Sequence, residues 1–394
     1  MTWTLSFLFT FIVFFFSLIF FIIGINARRP KHKPDFFPDV SVISWFWKDG
    51  NIIERKIKNF LSLKYPGKYE IIIVDNASDD ETKVICEKYA KRGLIKYYRT
   101  KVSYDRKAYG LDEAIKKVAK YDVLAMTDPD GFCDKNWLIK LVQPFKDKKV
   151  GAVIGLTHCG NFYKNFFTKL RAVEDEWIYV MSPLGRSFGK DVQFICGANY
   201  AVRRKALKSV GYHGKKTLCE DIELSVELHK KGWKIKVTDG EVWQEEVGNV
   251  REYIRQRLRW QNSTMEFFKF YSKDMIKTFK NRPIGLFLLL TATTMQIFSF
   301  LSLIPIIWGY FFSLNVFLLG LFSFIIFNIT FIPGLIRFKK TYLLPYVPFF
   351  LTIDSILLIY CQIVLRYLKF MNKKIVWRSL HDGYYHNGEK MVLK

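Results

Sequence analysis

Acidic residues end apolar, strand-like segments at two places, a costly position for a carboxylate unless something compensates its charge. The segment LAMTDPDGFCD, residues 124–134, carries Asp128 and Asp130 on either side of a proline, and EIIIVD, residues 70–75, ends in Asp75. A hard divalent cation that bridges two phosphates is held by one or two carboxylates and keeps several waters. Asp128 and Asp130 are a suitable pair, although Asp-Pro-Asp-Gly is also favourable turn chemistry without a ligand.

A second acidic pair, Glu220 and Asp221, opens the segment CEDIELSVELHKKGWKI, residues 219–235. At a helix N-terminus the two carboxylates interact favourably with the helix dipole, which is a sufficient structural reason for them. A carboxylate in this position can also act as a general base that removes a proton from an attacking hydroxyl. The residues alone leave both interpretations open.

The segment VREYIRQRLRWQNSTMEFFKFY, residues 250–271, places apolar side chains on one helical face and arginines elsewhere. Next to apolar segments, this pattern predicts an amphipathic helix that lies on a membrane surface. Its guanidinium groups also have the forked geometry that binds phosphate oxygens. A diphosphate is therefore a second candidate partner for this helix.

Strand-like and helix-like segments alternate in the middle of the chain, and this alternation predicts how the acids are positioned. We expect strands over residues 39–47, 70–75, 95–99 and 122–128, and helices over 51–63, 81–93 and 109–120. Such a β-α-β-α-β-α-β series predicts the α/β class, with a doubly wound, mostly parallel sheet. Sheets of this kind bind ligands at the carboxyl ends of their strands, where Asp75 and Asp128 are expected.

Uncharged apolar segments lie on both sides of this domain. Residues 1–27 are long enough for one membrane span, and residues 283–336 leave room for two with a tight turn near 311–315. A third apolar segment, residues 342–365, contains Asp354, which either faces protein or has a function. Basic stretches after the first and second segments predict a cytosolic domain in a multi-pass protein of the cell membrane. The side of the C-terminus stays open.

The formal charge of +25 is compatible with nucleic acid, an anionic membrane or a phosphorylated substrate as partner. The basic residues flank apolar segments or are spread over helices, and no nucleic-acid-binding motif occurs, so we expect no nucleic-acid partner. The six cysteines have no C-x-x-C spacing, which argues against a zinc site and a disulfide framework.

Four segments, in this order, resemble the membrane-integrated glycosyltransferases of family 2, such as cellulose, chitin and hyaluronan synthases and ceramide glucosyltransferase. These segments are YPGKYEIIIVDNASDDET (65–82), RKAYGLDEAIKKVAKYDVLAMTDPDGF (106–132), FICGANYAVRRKALKSVGYHG to CEDIELSVELHKKGWKI (194–235) and QRLRW (256–260). The resemblance covers about residues 39–260, and IVWRSLHDGYY (375–385) is weakly similar to a motif that follows the last span. It implies a GT-A fold (nucleotide-diphospho-sugar transferase, Rossmann-like) and a metal-dependent, inverting transfer from a nucleoside-diphosphate sugar.

On the donor side, the resemblance implies that Asp75 contacts the base and Lys107 the nucleotide. Asp128 would lie at the ribose or phosphate and, with Asp130, would hold Mg²⁺ or Mn²⁺. Arg259 would stabilise the leaving diphosphate, a task that suits a cation. The chain departs from the family at SWFWKDG, residues 44–50, where a Pro-Thr-Tyr-Asn-Glu type stretch is usual, so uracil is only the default base.

On the acceptor side, the resemblance implies that Asp221 is the base that deprotonates the acceptor hydroxyl, with Glu220 beside it. Gln256 and Trp260, from the Q-x-x-R-W box, would bind the acceptor, Trp260 by stacking on a sugar face. The chain also has Arg106 where glycine usually precedes the helix lysine.

The predicted organisation has five parts: an anchor (1–27), a GT-A domain (35–248), interfacial helices (249–282), a C-terminal membrane region (283–366) and a basic tail (367–394). The leading hypothesis is a transferase that acts on a lipid or membrane-proximal glycan. The alternatives are a processive polysaccharide synthase and, in another class, a catalytically silent membrane scaffold.

Overall fold

The computed structural model describes residues 3–30, 33–187, 192–293 and 295–371. The predicted motif at 375–385 and most of the basic tail lie outside these residues. Eight strands form one sheet in the order β3-β2-β1-β4-β7-β6-β8-β5. The strands are β1 (Val40–Phe46), β2 (Tyr69–Asp75), β3 (Lys96–Arg99), β4 (Val123–Thr127), β5 (Phe132–Cys133), β6 (Val150–Cys159), β7 (Asn199–Arg203) and β8 (Lys234–Gln244).

Helices connect the strands and extend beyond the sheet at both ends of the described chain. In and around the sheet they are α1 (Trp3–Asn26), α2 (Gly50–Leu61), α3 (Thr82–Lys91), α4 (Lys107–Lys117), α5 (Trp137–Val142), α6 (Phe166–Asp175), α7 (Ser182–Arg186), α8 (Arg204–Ser209) and α9 (Glu220–Lys230). After the sheet follow α10 (Val250–Phe279), α11 (Pro283–Thr293), α12 (Met295–Phe312), α13 (Leu314–Ile329), α14 (Ile332–Arg337) and α15 (Val347–Phe370). Short 3₁₀ segments occupy Gln143–Lys146 and Thr341–Tyr346, and a π-helical segment occupies Glu176–Met181.

The first half of the sheet follows the predicted pattern, because β3, β2, β1 and β4 are all parallel. The second half is mixed: β7 runs antiparallel to both of its neighbours, and β5 runs antiparallel to β8. Strand β1 lies between β2 and β4, so the ends of these two strands are two strand spacings, roughly 10 Å, apart. Asp75 and the residue after β4, Asp128, thus share an edge without being neighbours.

Complete burial of the central strands explains why they read as continuous apolar segments. All seven residues of β1 and all five of β4 are buried, and the helices that cover the sheet supply apolar side chains to both faces. In α2 the buried residues include Ile53, Ile57 and Phe60, at the helical spacing read from the sequence. The sheet is therefore a rigid platform whose loops at the carboxyl edge carry the polar residues.

Two apolar stretches are long enough to cross a membrane, Leu314–Arg337 and Thr341–Phe370, within the part of the chain that the structure describes. The chain turns at Ser313 between α12 and α13, inside the predicted turn region. Helix α1 packs against α12, α13 and α7. Phe20 of α1 meets Trp177 and Phe327 with ring centroids 5.4 Å apart in each case. The apolar helices and the domain therefore form one packed unit.

Cations from both predicted basic stretches pair with the two carboxylates that flank the buried side chain of His158. The Nδ1 atom of His158 lies 2.7 Å from Glu176 and its Nε2 atom 3.3 Å from Glu241. Arg29, which follows α1, pairs with Glu241 at 2.5 Å, and Lys340, which follows α14, pairs with Glu176 at 3.5 Å. Arg29 and Lys340 thus both lie on the domain side of the apolar helices.

Candidate active site

The turn that follows β4 carries Asp128 and Asp130, as the sequence predicts. The Asp128 carboxylate is partly exposed and pairs with Lys107, the first residue of α4, whereas Asp130 is only 4% exposed. Burial lowers the pKa of Lys107, but Asp128, Glu220 and Asp221 outweigh burial and raise it above its ordinary value. Lys107 therefore stays charged between the acids of the turn and the second acidic pair.

Lys56 of α2, which the sequence reading did not single out, lies beneath this turn and is 2% exposed. Its ammonium donates to the carbonyl oxygens of Asp128, at 2.8 Å, and Gly131, and lies 3.4 Å from Oγ1 of Thr127. Burial lowers its pKa, while Asp130 and Asp128 oppose that effect. Lys56 thus ties the backbone of the turn to the helix behind it. Lys56 is a charged residue on the apolar face of α2, and this position was the signal in the sequence that could have identified it.

Asp75 ends β2 at the predicted edge, but it faces the protein. Its side chain is fully buried, and its two oxygens accept hydrogen bonds from the Ser78 backbone at 2.9 Å, the Tyr97 hydroxyl at 2.5 Å and Arg99. In this conformation the carboxylate is used to fix the loop after β2. Its predicted contact with a base stays a prediction, one that requires these partners to move.

Glu220 and Asp221 are the first two residues of α9, where the sequence places them. The segment 193–197 runs along this helix and bonds to successive turns: Gln193 O to His229 Nε2 at 2.9 Å, Ile195 N to Ser225 Oγ at 2.7 Å and Gly197 N to Asp221 Oδ2 at 2.6 Å. The other oxygen of Asp221 accepts the Ile222 N–H at 2.8 Å. Backbone groups therefore hold the Asp221 carboxylate in one orientation.

The two acids titrate as neighbours in a partly buried site. Burial, followed by the charge of Asp221, raises the pKa of Glu220 to about 7, although Lys107 acts in the opposite direction. Burial also raises the pKa of Asp221, and the N–H groups of Gly197 and Ile222 and the charge of Lys107 oppose that rise. A carboxylate whose pKa lies near neutrality is well matched to general-base chemistry at physiological pH.

The loop before α9 is held by Arg106, which precedes α4, and by Glu223 of α9. Arg106, which replaces the family's glycine, donates to the carbonyl oxygens of Lys215 at 2.6 Å and Thr217 at 3.0 Å. Glu223 of α9 accepts the backbone N–H groups of Lys216, at 3.3 Å, and Thr217. Because Arg106 precedes Lys107, one short segment connects the donor-side lysine to the loop that leads into the acid pair. Sequence reasoning noted Arg106 only as a departure.

The Q-x-x-R-W box lies on α10, and its polar residues contact buried charges. Gln256 Nε2 lies 3.4 Å from Oε2 of Glu246, and the ring of Trp260 has the guanidinium carbons of Arg171 and Arg257 at 5.0 Å and 5.1 Å. Arg259 is partly exposed and forms no ion pair within the described residues. Further along α10, the Tyr271 hydroxyl donates to Glu223 of α9 at 3.0 Å, so α10 packs against the helix that begins with the acid pair.

The donor set suits a divalent cation that is shared with a substrate. No cluster of three or more His, Cys, Asp or Glu side chains that could hold a metal by itself occurs in the described ranges. Mg²⁺ and similar ions commonly use one or two carboxylates and complete their shell with phosphates and water. Asp128 and Asp130 fit such a site, which a diphosphate would complete.

A parallel half-sheet with acids at its carboxyl edge, joined to a mixed half-sheet that carries a second acid pair, defines a GT-A fold. Residues 41–211 match the model of the family described as Glycosyl transferase family 2. This part of the chain is a family 2 glycosyltransferase domain.

The chain is similar to two curated synthases of this family. It is 28% identical over 248 residues to beta-monoglucosyldiacylglycerol synthase of Nostoc sp., with 60% of this chain and 52% of that protein covered. It is 27% identical over 253 residues to poly-beta-1,6-N-acetyl-D-glucosamine synthase of Staphylococcus epidermidis, with 64% and 60% covered. The chain thus spans between half and two thirds of the length of these relatives.

A solved structure supports the fold over almost the whole chain. The mannosyltransferase PcManGT of Pyrobaculum calidifontis, solved in complex with GDP-Man and Mn²⁺, superposes with a TM-score of 0.58 at 18% identity. The superposition covers 90% of this chain and 98% of that one.

Replacement of Lys56 by Met tests its role beneath the turn. The substitution removes the Lys56 donor from the buried carbonyl group of Gly131, whereas the carbonyl group of Asp128 keeps the Gly131 N–H at 3.1 Å. An unsatisfied buried polar group costs about 1–3 kcal/mol. We expect a lower thermal midpoint and a higher Mn²⁺ concentration for half-maximal stabilisation by UDP, measured by thermal shift. Lys58→Met is the matched control, because Lys58 lies on the same helix with a side chain 65% exposed. Equal behaviour of the two variants would contradict the assignment.

Proposed function

We propose that the protein is a membrane-bound inverting glycosyltransferase that moves a sugar from a nucleoside-diphosphate sugar to a hydroxyl of a lipid or membrane-proximal glycan. One observation carries the proposal. Lys107 pairs with Asp128 on the donor side, and the charges of Glu220 and Asp221 help to raise the pKa of its ammonium group. The acids expected at the diphosphate and at the acceptor hydroxyl therefore surround one cation in a family 2 domain.

The chemistry assigned to the site is a single displacement at the anomeric carbon. The acceptor hydroxyl gives its proton to the Asp221–Glu220 pair, its oxygen forms a bond to the anomeric carbon, and the bond to the diphosphate breaks. The diphosphate leaves with the electron pair, and Lys107 and Arg259 are the cations that we assign to its stabilisation. A divalent ion held by Asp128 and Asp130 would add Lewis-acid stabilisation of the leaving group.

The proposed acceptor class follows from the relatives and the apolar helices. The name of one relative refers to a glucosylated diacylglycerol and that of the other to a polysaccharide. Two candidate spans, Leu314–Arg337 and Thr341–Phe370, would hold the domain at a bilayer if they cross it. A small set of apolar helices leaves little protein to line a secretion channel, which favours a lipid acceptor. The polysaccharide relative and the Q-x-x-R-W box favour the second candidate, a processive synthase.

A donor and acceptor screen tests the proposal. The purified full-length protein in detergent is incubated with Mn²⁺ or Mg²⁺, a panel of UDP- and GDP-sugars, and dioleoylglycerol or a bacterial lipid extract, and products are weighed by mass spectrometry. We expect a lipid with one added sugar. A ladder of masses would instead support the synthase. Failure to hydrolyse or transfer any sugar, together with failure to bind UDP or GDP, would overturn the proposal in favour of a silent scaffold.

The pKa of Glu220 predicts how transfer depends on pH. The pair accepts a proton only when it is deprotonated, so kcat/KM should fall as pH drops through about 7, the pKa that burial and Asp221 give to Glu220. In Glu220→Gln, Asp221 loses a like-charged neighbour, and the acidic limb should move to lower pH. A wild-type profile that stays flat from about pH 8 to about pH 5 would contradict this prediction.

A further inference from the structure

A buried network of arginines and carboxylates lies between the domain, α10 and α15. We call it the arginine–carboxylate network; its members are Arg171, Glu174, Asp175, Glu246, Arg257 and Asp354, each at most 4% exposed. Arg171 binds Asp175 and Glu246 at 2.7 Å each and also pairs with Glu174, which in turn accepts two bonds from Arg257. Buried charges of this kind are tolerated only when each has close partners.

Asp354 joins this network from α15, inside a candidate membrane span. Its Oδ1 atom lies 3.0 Å from Nε of Arg257 and 3.4 Å from the hydroxyl of Tyr253, both on α10. An acid within a span is costly and normally faces protein or a cavity. The structure favours the first of these two interpretations for Asp354. Its carboxylate neutralises an arginine that belongs to the QRLRW segment itself.

The network also supports the two residues that the family resemblance places at the acceptor. Gln256 contacts Glu246, and the ring of Trp260 lies against the guanidinium groups of Arg171 and Arg257. A guanidinium within about 6 Å of an indole ring attracts it and restricts its orientation. The position of Arg257 therefore affects the orientation of Trp260, and Asp354 is one of the groups that fix Arg257.

We infer that Asp354 is a positioning residue for acceptor transfer: from α15 it holds Arg257, and through Arg257 it holds the Trp260 side of the site. The inference rests on the proposed function, because it assigns Trp260 to the acceptor. Of the residues assigned to the donor, Asp128, Asp130 and Lys107 lie on the turn after β4 and on α4, which Asp354 does not touch, and Arg259 of α10 is partly exposed and lies outside the network. A loss confined to the acceptor side thus distinguishes positioning from a general loss of structure.

The test compares Asp354→Asn with Gln362→Ala in the full-length protein. Asparagine preserves the volume of the side chain and removes its charge. Gln362, on the same helix, bonds to Gln261 of α10 at 3.0 Å but lies outside the network, so its removal deletes one neutral bond between the same two helices. The probes are UDP-glucose, UDP-N-acetylglucosamine and GDP-mannose as donors and dioleoylglycerol in phosphatidylglycerol vesicles as acceptor.

We expect Asp354→Asn to lower kcat/KM for dioleoylglycerol by roughly tenfold or more, because small displacements of a positioning group cost large factors in rate. Donor hydrolysis in the absence of acceptor should change by less than about twofold. Amide hydrogen exchange over residues 253–262 should rise, while that over 123–133 should not. Gln362→Ala should match the wild type in all three measurements.

Three outcomes separate the inference from the function on which it rests. If exchange in α10 and acceptor transfer are both unchanged in Asp354→Asn, the inference is wrong and the proposed function stands. If hydrolysis and transfer fall in parallel and exchange rises throughout the domain, Asp354 is a structural residue only, which also overturns the inference. If the wild type uses none of the donors but exchange rises in α10 of the variant, the packing role holds and the catalytic proposal fails.

Discussion

Replacement of Asp221 by Asn is expected to abolish almost all transfer while leaving donor binding intact. The amide has the size of the carboxylate, and its oxygen can still accept the Gly197 N–H that holds Asp221 at 2.6 Å. The amide nitrogen cannot accept the Ile222 N–H that the other oxygen of Asp221 binds at 2.8 Å, and the amide cannot take a proton from the acceptor hydroxyl. General-base catalysis contributes about 10²- to 10⁴-fold, so kcat should fall by that factor. Steady-state transfer and UDP affinity by calorimetry measure the two effects separately.

Two variants on the same helix control this experiment. Glu227→Gln removes an acid of α9 that pairs with Lys230 on the protein surface, and it should leave kcat unchanged. Glu220→Gln identifies the base if the proton goes to the neighbouring carboxylate instead. Retention of more than about a tenth of the wild-type kcat by Asp221→Asn, with a larger loss in Glu220→Gln, would move the assignment to Glu220.

The sequence was sufficient for the framework of the site because that framework depends on local patterns. Runs of Val and Ile produced the buried strands β1, β2 and β4, and acids directly after such runs lie at the carboxyl edge of a parallel sheet. The pairing of Lys107 with Asp128 follows from the same geometry, because α4 leads directly into β4. The start of α9 at Glu220 was likewise visible as acids before a helical pattern.

Partners that come from distant segments could not be read in the same way. Asp75 is occupied by Tyr97 and Arg99, which reach it only because β3 pairs with β2 in a particular register. Lys56, the cation beneath the turn that follows β4, comes from α2, more than seventy residues before Gly131. Nothing in a pattern of apolar and polar residues states which buried lysine meets which turn.

The partner of the acid in the last apolar segment could not be predicted from the sequence, although the sequence contained a signal for it. Asp354 was recognised as costly, and two explanations were equally open. Its partner is Arg257, the second residue of QRLRW, which the family motif leaves unspecified. Asp354 has no cationic partner in its own segment, and the amphipathic segment contains an arginine, Arg257, that the motif does not require. Together these two facts could have indicated an ion pair between the two segments. The packing of α15 on α10 joins them.

Replacement of Arg171 by Met is expected to have the largest effect on stability. Arg171 is fully buried and contacts three carboxylates, those of Glu174, Asp175 and Glu246. Methionine keeps much of the apolar stem, and among the residues that the structure describes it leaves Arg257 as the cation of this acid cluster. Removal of one partner from a buried ionic pair costs about 3–5 kcal/mol. In a domain of this size, that loss lowers the thermal midpoint by about 10 °C.

The pH dependence of this loss separates charge from packing. Burial and Glu246 already raise the pKa of Asp175 in the folded protein, and without the charge of Arg171, which lowers it, the folded-state pKa of Asp175 rises further. A group whose folded pKa lies above its unfolded value destabilises the fold as pH rises and ceases to do so once both states are protonated. The deficit of Arg171→Met should therefore be larger at pH 8 than at pH 5.5. Arg92→Met, at an exposed arginine, should show almost no deficit at either pH. A deficit for Arg171→Met that is equally large at both pH values would mean that Arg171 stabilises the domain through its packed stem, and the network would then be a consequence of the fold and not one of its supports.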